Sequence, residues 1–236
     1  MKGDEYIGKS KEVRRHKLPG TLVLVFTDRI TDKDGLVQAE APGKGRTCCQ
    51  LSRRLFALLA GEQVPTHYLD VLSSTELLVA ETEPIPIEVV VRRIAAGSLL
   101  TRVPVRKGQP LSPPLVEFFY KKDEWHDPLI AERHILEFGI CTESELDTII
   151  SLSQAATDVL ARHLTACDLE LVDIKYEFGR ALDGSLMLID ELTPEVFRAR
   201  DKRTGASMDK DVFREGRGPA TATYEALLAR LVERFG

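Results

Sequence analysis

The stretch that most constrains this chain runs from Leu169 to Glu191. Leu169 to Phe178 alternates apolar and polar side chains, Asp183-Gly184 is a tight-turn signal, and Ser185 to Glu191 resumes a strand pattern. A period of two means strand, so the segment predicts an antiparallel hairpin, which needs further elements to cover its apolar face. Alternation sets Asp173, Lys175 and Glu177 on one face and Val172, Ile174, Tyr176 and Phe178 on the other. On the return strand Leu186, Leu188 and Asp190 share a face, which predicts that Asp190 and its neighbour Glu191 approach the first group. Carboxylates gathered around a lysine suit Mg²⁺ on a polyphosphate, because that ion takes oxygen ligands and usually only one or two protein carboxylates. The same pattern also fits an exposed sheet face with cross-strand ion pairs.

Around this hairpin, strand and helix signals are mixed. Glu12 to Arg14 and Gly20 to Thr27 read as strands, followed by a polar loop over Asp28 to Gly35. A helix is predicted from Thr47 to Ala60, where Leu51, Leu55, Leu58 and Leu59 recur at helical spacing and Gly61 supplies the stop. Strands return at Glu76 to Ala80 and Ile87 to Arg93. Between them the proline-marked Glu81–Pro86 predicts a hinge dividing lobe 1–84 from lobe 85–236. Val103 to Pro114 reads as loop. Thr142 and Glu145 form a capping box opening a long helix with Leu146, Ile149, Ile150, Val159 and Leu160 as its apolar stripe. A last helix, Ala220 to Arg234, is expected to bury Leu227, Leu228, Leu231 and Val232.

With 236 residues, 43% of them hydrophobic, the chain can bury a sizeable core. Its 32 basic and 37 acidic residues leave a net charge of −5, without the basic surplus of a nucleic-acid binder. The N-terminal segment lacks a signal-like apolar stretch, and no window approaches the roughly 20 apolar residues of a membrane span. These features lead us to expect a soluble, cytoplasmic protein with neither nucleic-acid nor membrane partners. Cys48, Cys49, Cys141 and Cys167 lack CxxC spacing and are expected to be reduced, small apolar side chains.

Gly3 to Ser10 formally satisfies GxxxxGK[ST], but a phosphate loop needs a buried strand before it and a helix after it. Only Met1 and Lys2 precede Gly3, and Glu12 onward reads at least as well as strand, so that fold is set aside. Gly8, Lys9 and Lys11 remain a turn with two cations, suited to covering phosphates from a hairpin or to lying in solvent. Arg92-Arg93 ends a strand before the small turn Ala96-Gly97-Ser98, an arrangement able to hold a phosphate beside a guanidinium. His126-Asp127-Pro128 adds a carboxylate in a segment dense with charge.

These segments, together with Asp28 to Thr31, Asp34-Gly35, Gly43-Lys44-Gly45, Pro65-Thr66-His67, Lys121 and Asp190 to Pro194 with Arg198, follow one another in an order that resembles the SAICAR synthetase family from about Tyr6 to the last helix. The resemblance implies a two-lobed α+β fold related to ATP-grasp ligases, with antiparallel sheets, flanking helices and ATP in the interlobe cleft. It implies ATP-dependent joining of L-aspartate to the carboxylate of carboxyaminoimidazole ribotide, through an acyl phosphate, in purine biosynthesis. By similarity, Gly8, Lys9, Ser10, Lys11 and Lys121 would lie at the nucleotide, and Glu177 and Asp190 would hold Mg²⁺. Asp127 and Asp173 would meet a second metal and the substrate carboxylate, with Lys175 in the same cleft. Arg92, Ser98 and Arg198 would hold the ribose phosphate. The chain departs from the family pattern at Glu195 and Phe197, both expected beside the phosphate arginine. That departure also fits a paralogue acting on a related ribotide in nucleoside natural-product synthesis. A non-catalytic nucleotide-binding regulator is a third reading, and a homo-oligomer is compatible with all three.

Overall fold

The computed structural model describes residues 5–8, 11–32 and 35–236. The chain opens with β1 (Glu5–Ile7) and β2 (Lys11–Arg15), an antiparallel pair across whose turn the Gly8 N–H donates to the Lys11 carbonyl at 2.8 Å. A strand therefore stands where a phosphate loop would start its helix. β3 (Thr21–Phe26) is almost wholly buried, as its apolar run requires. Within the predicted polar loop of 28–35 the chain forms β4 (Arg29–Asp32), which pairs antiparallel with β5 (Val37–Glu40). Only Ile30 and Thr31 of β4 are buried and all of β5 is exposed, so the segment carries little apolar signal.

Helix α1 (Lys44–Gly61) begins three residues before the predicted start. The Asp28 carboxylate accepts from the N–H groups of Gly43 (3.0 Å) and Gly45 (2.8 Å), satisfying donors at a helix N-terminus that also favours negative charge. A Cβ on Gly45 would lie 2.7 Å from the Phe26 carbonyl oxygen, so the helix start can dock on the end of β3 only without a side chain. Leu51, Leu55, Phe56 and Leu59 are fully buried, whereas Leu58 is only partly so. Truncating Phe56 to alanine would cost about 3–5 kcal/mol. β6 (Tyr68–Val71) and β7 (Glu76–Ala80) complete an antiparallel sheet of order β1-β2-β3-β7-β6.

β8 (Glu83–Ile94) begins inside the proline-marked 81–86 segment, with Pro84 in register opposite Gly179. Pro84 pairs beside the register shift between Glu177 and Gly179, and Pro86 lies within it, its carbonyl accepting from the Lys121 N–H at 3.0 Å. After α2 (Leu99–Arg102), β9 (Pro110–Tyr120) likewise takes in prolines that read as loop. Next come β10 (Leu129–Ile130), α3 (Glu132–Glu137) and α4 (Glu143–Ala166), whose Thr142–Glu145 capping box forms as predicted. β11 (Leu169–Arg180), β12 (Leu186–Ile189) and β13 (Phe197–Asp201) give a second sheet of order β10-β9-β8-β11-β12, with β13 paired to the first half of β11. α5 (Asp211–Arg214) and α6 (Ala220–Phe235) close the chain.

One buried apolar cluster runs from Leu24 of β3 through α1 and α4 to Ile174, Tyr176 and Phe178 of β11 and Leu227 of α6. The Tyr176 hydroxyl, in the core, finds Thr157 Oγ1 of α4 at 3.0 Å. The β11–β13 pairing shifts register between Leu171 and Asp173, and Val172 leaves the main core to pack with Ile94 and Ala96. Simple alternation therefore misplaces Val172. On α6, Tyr224, Leu227 and Leu231 are buried, Leu228 is only partly so and Val232 is exposed. All four cysteines are buried and unbridged, and burial pushes the Cys49 thiol up to about 12.

Candidate active site

Between the two sheets lies a cavity of about 550 Å³. Val13, Leu22, Leu24 and Val79 of the first sheet, with Ile85 and Ile189, form its apolar wall. The opposite wall is charged because β11 and β8 pair in register, Lys175 with Val90 and Glu177 with Glu88, turning alternate polar side chains into the cavity. Lys175 Nζ donates to Glu88 (2.6 Å) and Glu177 (3.0 Å), and Lys121 pairs with the other Glu177 oxygen. Lys11, at the start of β2, pairs with Asp190 and with Glu191 at 2.8 Å. Asp127 also lines the cavity, its carboxylate accepting from the Lys122 N–H at 2.7 Å.

These charges sustain one another. Burial alone would raise the Asp190 pKa, but Lys11, Lys175 and Lys121 outweigh it and hold the carboxyl well below the usual range. Burial alone would lower Lys175, yet Glu177, Glu88 and Asp190 keep it well above its ordinary value. Burial, only partly offset by Lys175, raises Glu88. Among the described lining residues, four lysines face eight carboxylates, so a polyphosphate entering here needs additional cations. Those oxygen donors suit a hard divalent ion. Among the described residues, no three carboxylate, histidine or cysteine groups form a cage of their own, which is compatible with an ion completed by phosphate oxygens.

Asp190 reaches this group by a route that alternation misses. Leu188 points into the core, so Asp190 would follow it if β12 continued past Ile189. Instead its backbone is left-handed (φ 74°), and its carboxylate lines the cavity.

The second predicted set gathers further along β11. Arg92 donates to Asp173 (2.8 Å), Glu117 (2.6 Å) and Ser98 Oγ (3.2 Å), while Arg198 bonds Asp173 (3.1 Å) and Asp211 (3.0 Å). Asp173 does not join the carboxylates of the cavity. Two guanidiniums satisfy both its oxygens, so it anchors the arginines. Gly97 allows the close approach: it has φ 55°, and a Cβ there would lie 2.9 Å from the Arg198 guanidinium. Gly8 lines the cavity, while Lys9 and Ser10 fall outside the described residues.

The SAICAR synthetase family model matches residues 4–231. The chain belongs to the SAICAR synthetase family. Its relatives include the phosphoribosylaminoimidazole-succinocarboxamide synthases of Lacticaseibacillus paracasei, 39% identical with 97% of this chain and 95% of that one covered, and of Staphylococcus epidermidis, 38% identical with 96% and 97% covered. Among solved structures it resembles a SAICAR synthetase in complex with ADP (TM-score 0.93, 36% identity, 96% and 97% covered) and one from Pyrococcus horikoshii (TM-score 0.91, 35% identity, 95% and 98% covered). SAICAR synthetases are ATP-dependent ligases, and the fold is the α+β arrangement of antiparallel sheets and helices that the resemblance implied.

Two residues of this site, Glu88 and Lys210, escaped the sequence reading. Glu88 was findable, since Glu88, Val90 and Arg92 alternate with core residues Val89 and Val91. Lys210 lines the cavity paired at 2.8 Å with Glu195, which was expected beside Arg198 and also accepts from the Tyr224 hydroxyl of α6 at 2.7 Å, long-range contacts with no local signal. Phe197 points into the core, away from Arg198, because neighbours on β13 face opposite sides.

His67 is buried, and burial lowers its pKa from 6.5 to about 4 despite the Asp190 carbonyl beside it. The folded chain thus binds fewer protons than the unfolded one across that window. Stability held above pH 6.5 is lost as the pH falls toward 4. Urea unfolding between pH 7.5 and 4 should show this loss in the wild type and its reduction in His67→Gln.

Proposed function

We propose that the cavity between the sheets holds ATP, with the adenine against the apolar wall and the phosphates toward Lys11, Lys121 and Lys175. The residues flanking Asp173 would hold the carboxyaminoimidazole ribotide: Arg92, Ser98 and Arg198 its 5-phosphate. The observation that carries this reading is the layout of β11, which bears Glu177 and Lys175 in the cavity and, one strand repeat of about 7 Å further on, Asp173 with its two arginines. That spacing sets a phosphoryl donor beside a phosphate-anchored acceptor.

The reaction is ATP-dependent amide formation. The ribotide carboxylate takes the γ-phosphoryl group as an acyl phosphate, and the L-aspartate amine then displaces phosphate. Mg²⁺ held by Glu177 and Asp190, with Asp127 at the rim, would neutralise charge on the transferring phosphoryl oxygens. Lys11, Lys121 and Lys175 hold the remaining phosphate charge, and the buried floor limits water that would hydrolyse an acyl phosphate. We divide the chain functionally at 84/85, with β8 crossing the boundary. The unbridged cysteines support a cytoplasmic setting, and among the described residues no helix is long and apolar enough to cross a membrane.

Packing accounts for the departures at 195 and 197, which removes the motive for a paralogue acting on another ribotide. A scaffold would gain nothing from so many like charges in one cavity. In a purine-requiring strain lacking its own synthetase, expression of this chain should restore growth without added purine; soluble protein without rescue overturns the housekeeping assignment. Gly97→Ala should raise the ribotide KM about tenfold while kcat changes little, because the new methyl displaces Arg198 from a bound phosphate. An unchanged KM would remove Arg198 from that site.

A further inference from the structure

His67 is absorbed by none of these roles, yet it joins the two sheets at the site. Residues 65–67 run parallel beside β12: the His67 N–H donates to the Leu188 carbonyl (2.9 Å) and the Leu188 N–H to the Pro65 carbonyl (3.0 Å). The His67 carbonyl accepts from the Ala80 N–H at the end of β7 (2.7 Å). Its ring packs edge-on against Phe56 at 5.5 Å, and Nε2 lies 2.9 Å from the Asp190 carbonyl oxygen. A carbonyl only accepts, so Nε2 carries the proton and donates. The bond therefore falls on the backbone group of Asp190, which with Asp127 (φ 44°) is one of two left-handed carboxylate residues lining the cavity. A non-glycine residue holds that conformation only where its surroundings over-determine it.

We propose that His67 is a positioning residue for the ligation: its Nε2–H fixes the Asp190 backbone in the left-handed region, turning the carboxylate from the core face of β12 into the cavity. Released from this bond, Asp190 relaxes toward the extended backbone of its strand, and its carboxylate leaves Glu177 and Lys11. The inference rests on the reading of Asp190 as a magnesium ligand for its effect on catalysis, but not for its effect on the backbone.

The test uses His67→Phe, which keeps a ring against Phe56 and removes the donor, and His67→Gln, whose amide reaches to the Nε2 position. Binding of Mn²⁺ with ADP is followed by electron paramagnetic resonance, alongside steady-state ligation, thermal melting and a crystal structure of the phenylalanine variant. We expect His67→Phe to melt cooperatively, to bind Mn²⁺ about ten- to a hundredfold more weakly and to need correspondingly more Mg²⁺ for turnover, with most of the loss recovered in His67→Gln. The aspartate KM should stay within about twofold of wild type, a split that general loosening would not give. Asp190 should leave φ 74° in the crystal. If it keeps that angle, the proposal is wrong whatever the activity. If Asp190 moves while neither His67→Phe nor Asp190→Asn alters Mn²⁺ binding, the proposed catalytic consequence is overturned along with the metal assignment. Should His67→Phe fail to fold, His67→Asn, whose amide stops short of the carbonyl, takes its place in every comparison.

Discussion

Asp190→Asn should fold like the wild type and ligate about a thousandfold more slowly, a rise in barrier on the order of 4 kcal/mol. The fold survives because Lys11 keeps Glu191 at 2.8 Å, and the left-handed backbone depends on the main-chain carbonyl rather than the carboxylate. Turnover falls because an amide supplies no negative charge to a divalent ion, and Lys11 is left with an altered balance beside the phosphates. Steady-state ligation at saturating Mg²⁺, with a thermal melt as the folding control, checks this. A rate within about tenfold of wild type would remove Asp190 from the phosphoryl-transfer machinery.

Arg92→Met should be among the most destabilising substitutions in the chain, by about 3–5 kcal/mol. Arg92 is 3% exposed and bonds two carboxylates that are themselves buried, Asp173 at 4% and Glu117 at 9%. Removing it leaves Asp173 to Arg198 alone and Glu117 to the half-exposed Arg102. Methionine fills the space but pairs with neither charge. For a chain of this size the melting temperature should drop on the order of 10 °C, and urea unfolding should give the free energy directly. A loss below about 1 kcal/mol would mean that water reaches the carboxylates and that the arginine is not the anchor its burial indicates. Surviving folded protein should also bind the ribotide poorly, unlike a variant damaged only in packing.

How far these results were legible in the sequence depended on the range of the interactions that decide them. The Thr142–Glu145 cap and the Leu51, Leu55, Leu59 stripe rest on residues three and four apart, and both formed where periodicity placed them. The antiparallel partnership of β11 with β12 followed from alternation and a turn signal. β4 did not: its pairing with β5 uses backbone bonds between mostly polar residues. Prolines 84, 86, 113 and 114 were read as breakers, yet they lie inside strands, at or within register shifts of the β8–β11 and β8–β9 pairings where the ladder is interrupted. Val172 fell to a register shift that period-two logic cannot contain.

The site divides in the same way. Lys175 and Glu177 meet because strand alternation aims both into the cavity, where Lys11 pairs with Glu191. Asp190 arrives for a different reason than alternation supplied, a left-handed backbone held by a histidine 123 residues away in sequence. Asp173 was grouped with the cavity carboxylates by its face on the strand. Arg92, one register position across the sheet, and Arg198 from β13 claim it instead. Glu195 and Phe197, read in the sequence as departures beside Arg198, are held elsewhere: Tyr224 and Lys210 hold the first, and the core holds the second.

The most direct test of this account is ADP release by the purified protein with Mg²⁺, ATP, carboxyaminoimidazole ribotide and L-aspartate, each omitted in turn, with the product weighed by mass spectrometry. The account predicts full turnover only with every component present and a product mass equal to ribotide plus aspartate minus water. ATP binding without aspartate-dependent product, or equal turnover with a ribotide lacking the carboxylate, would contradict it.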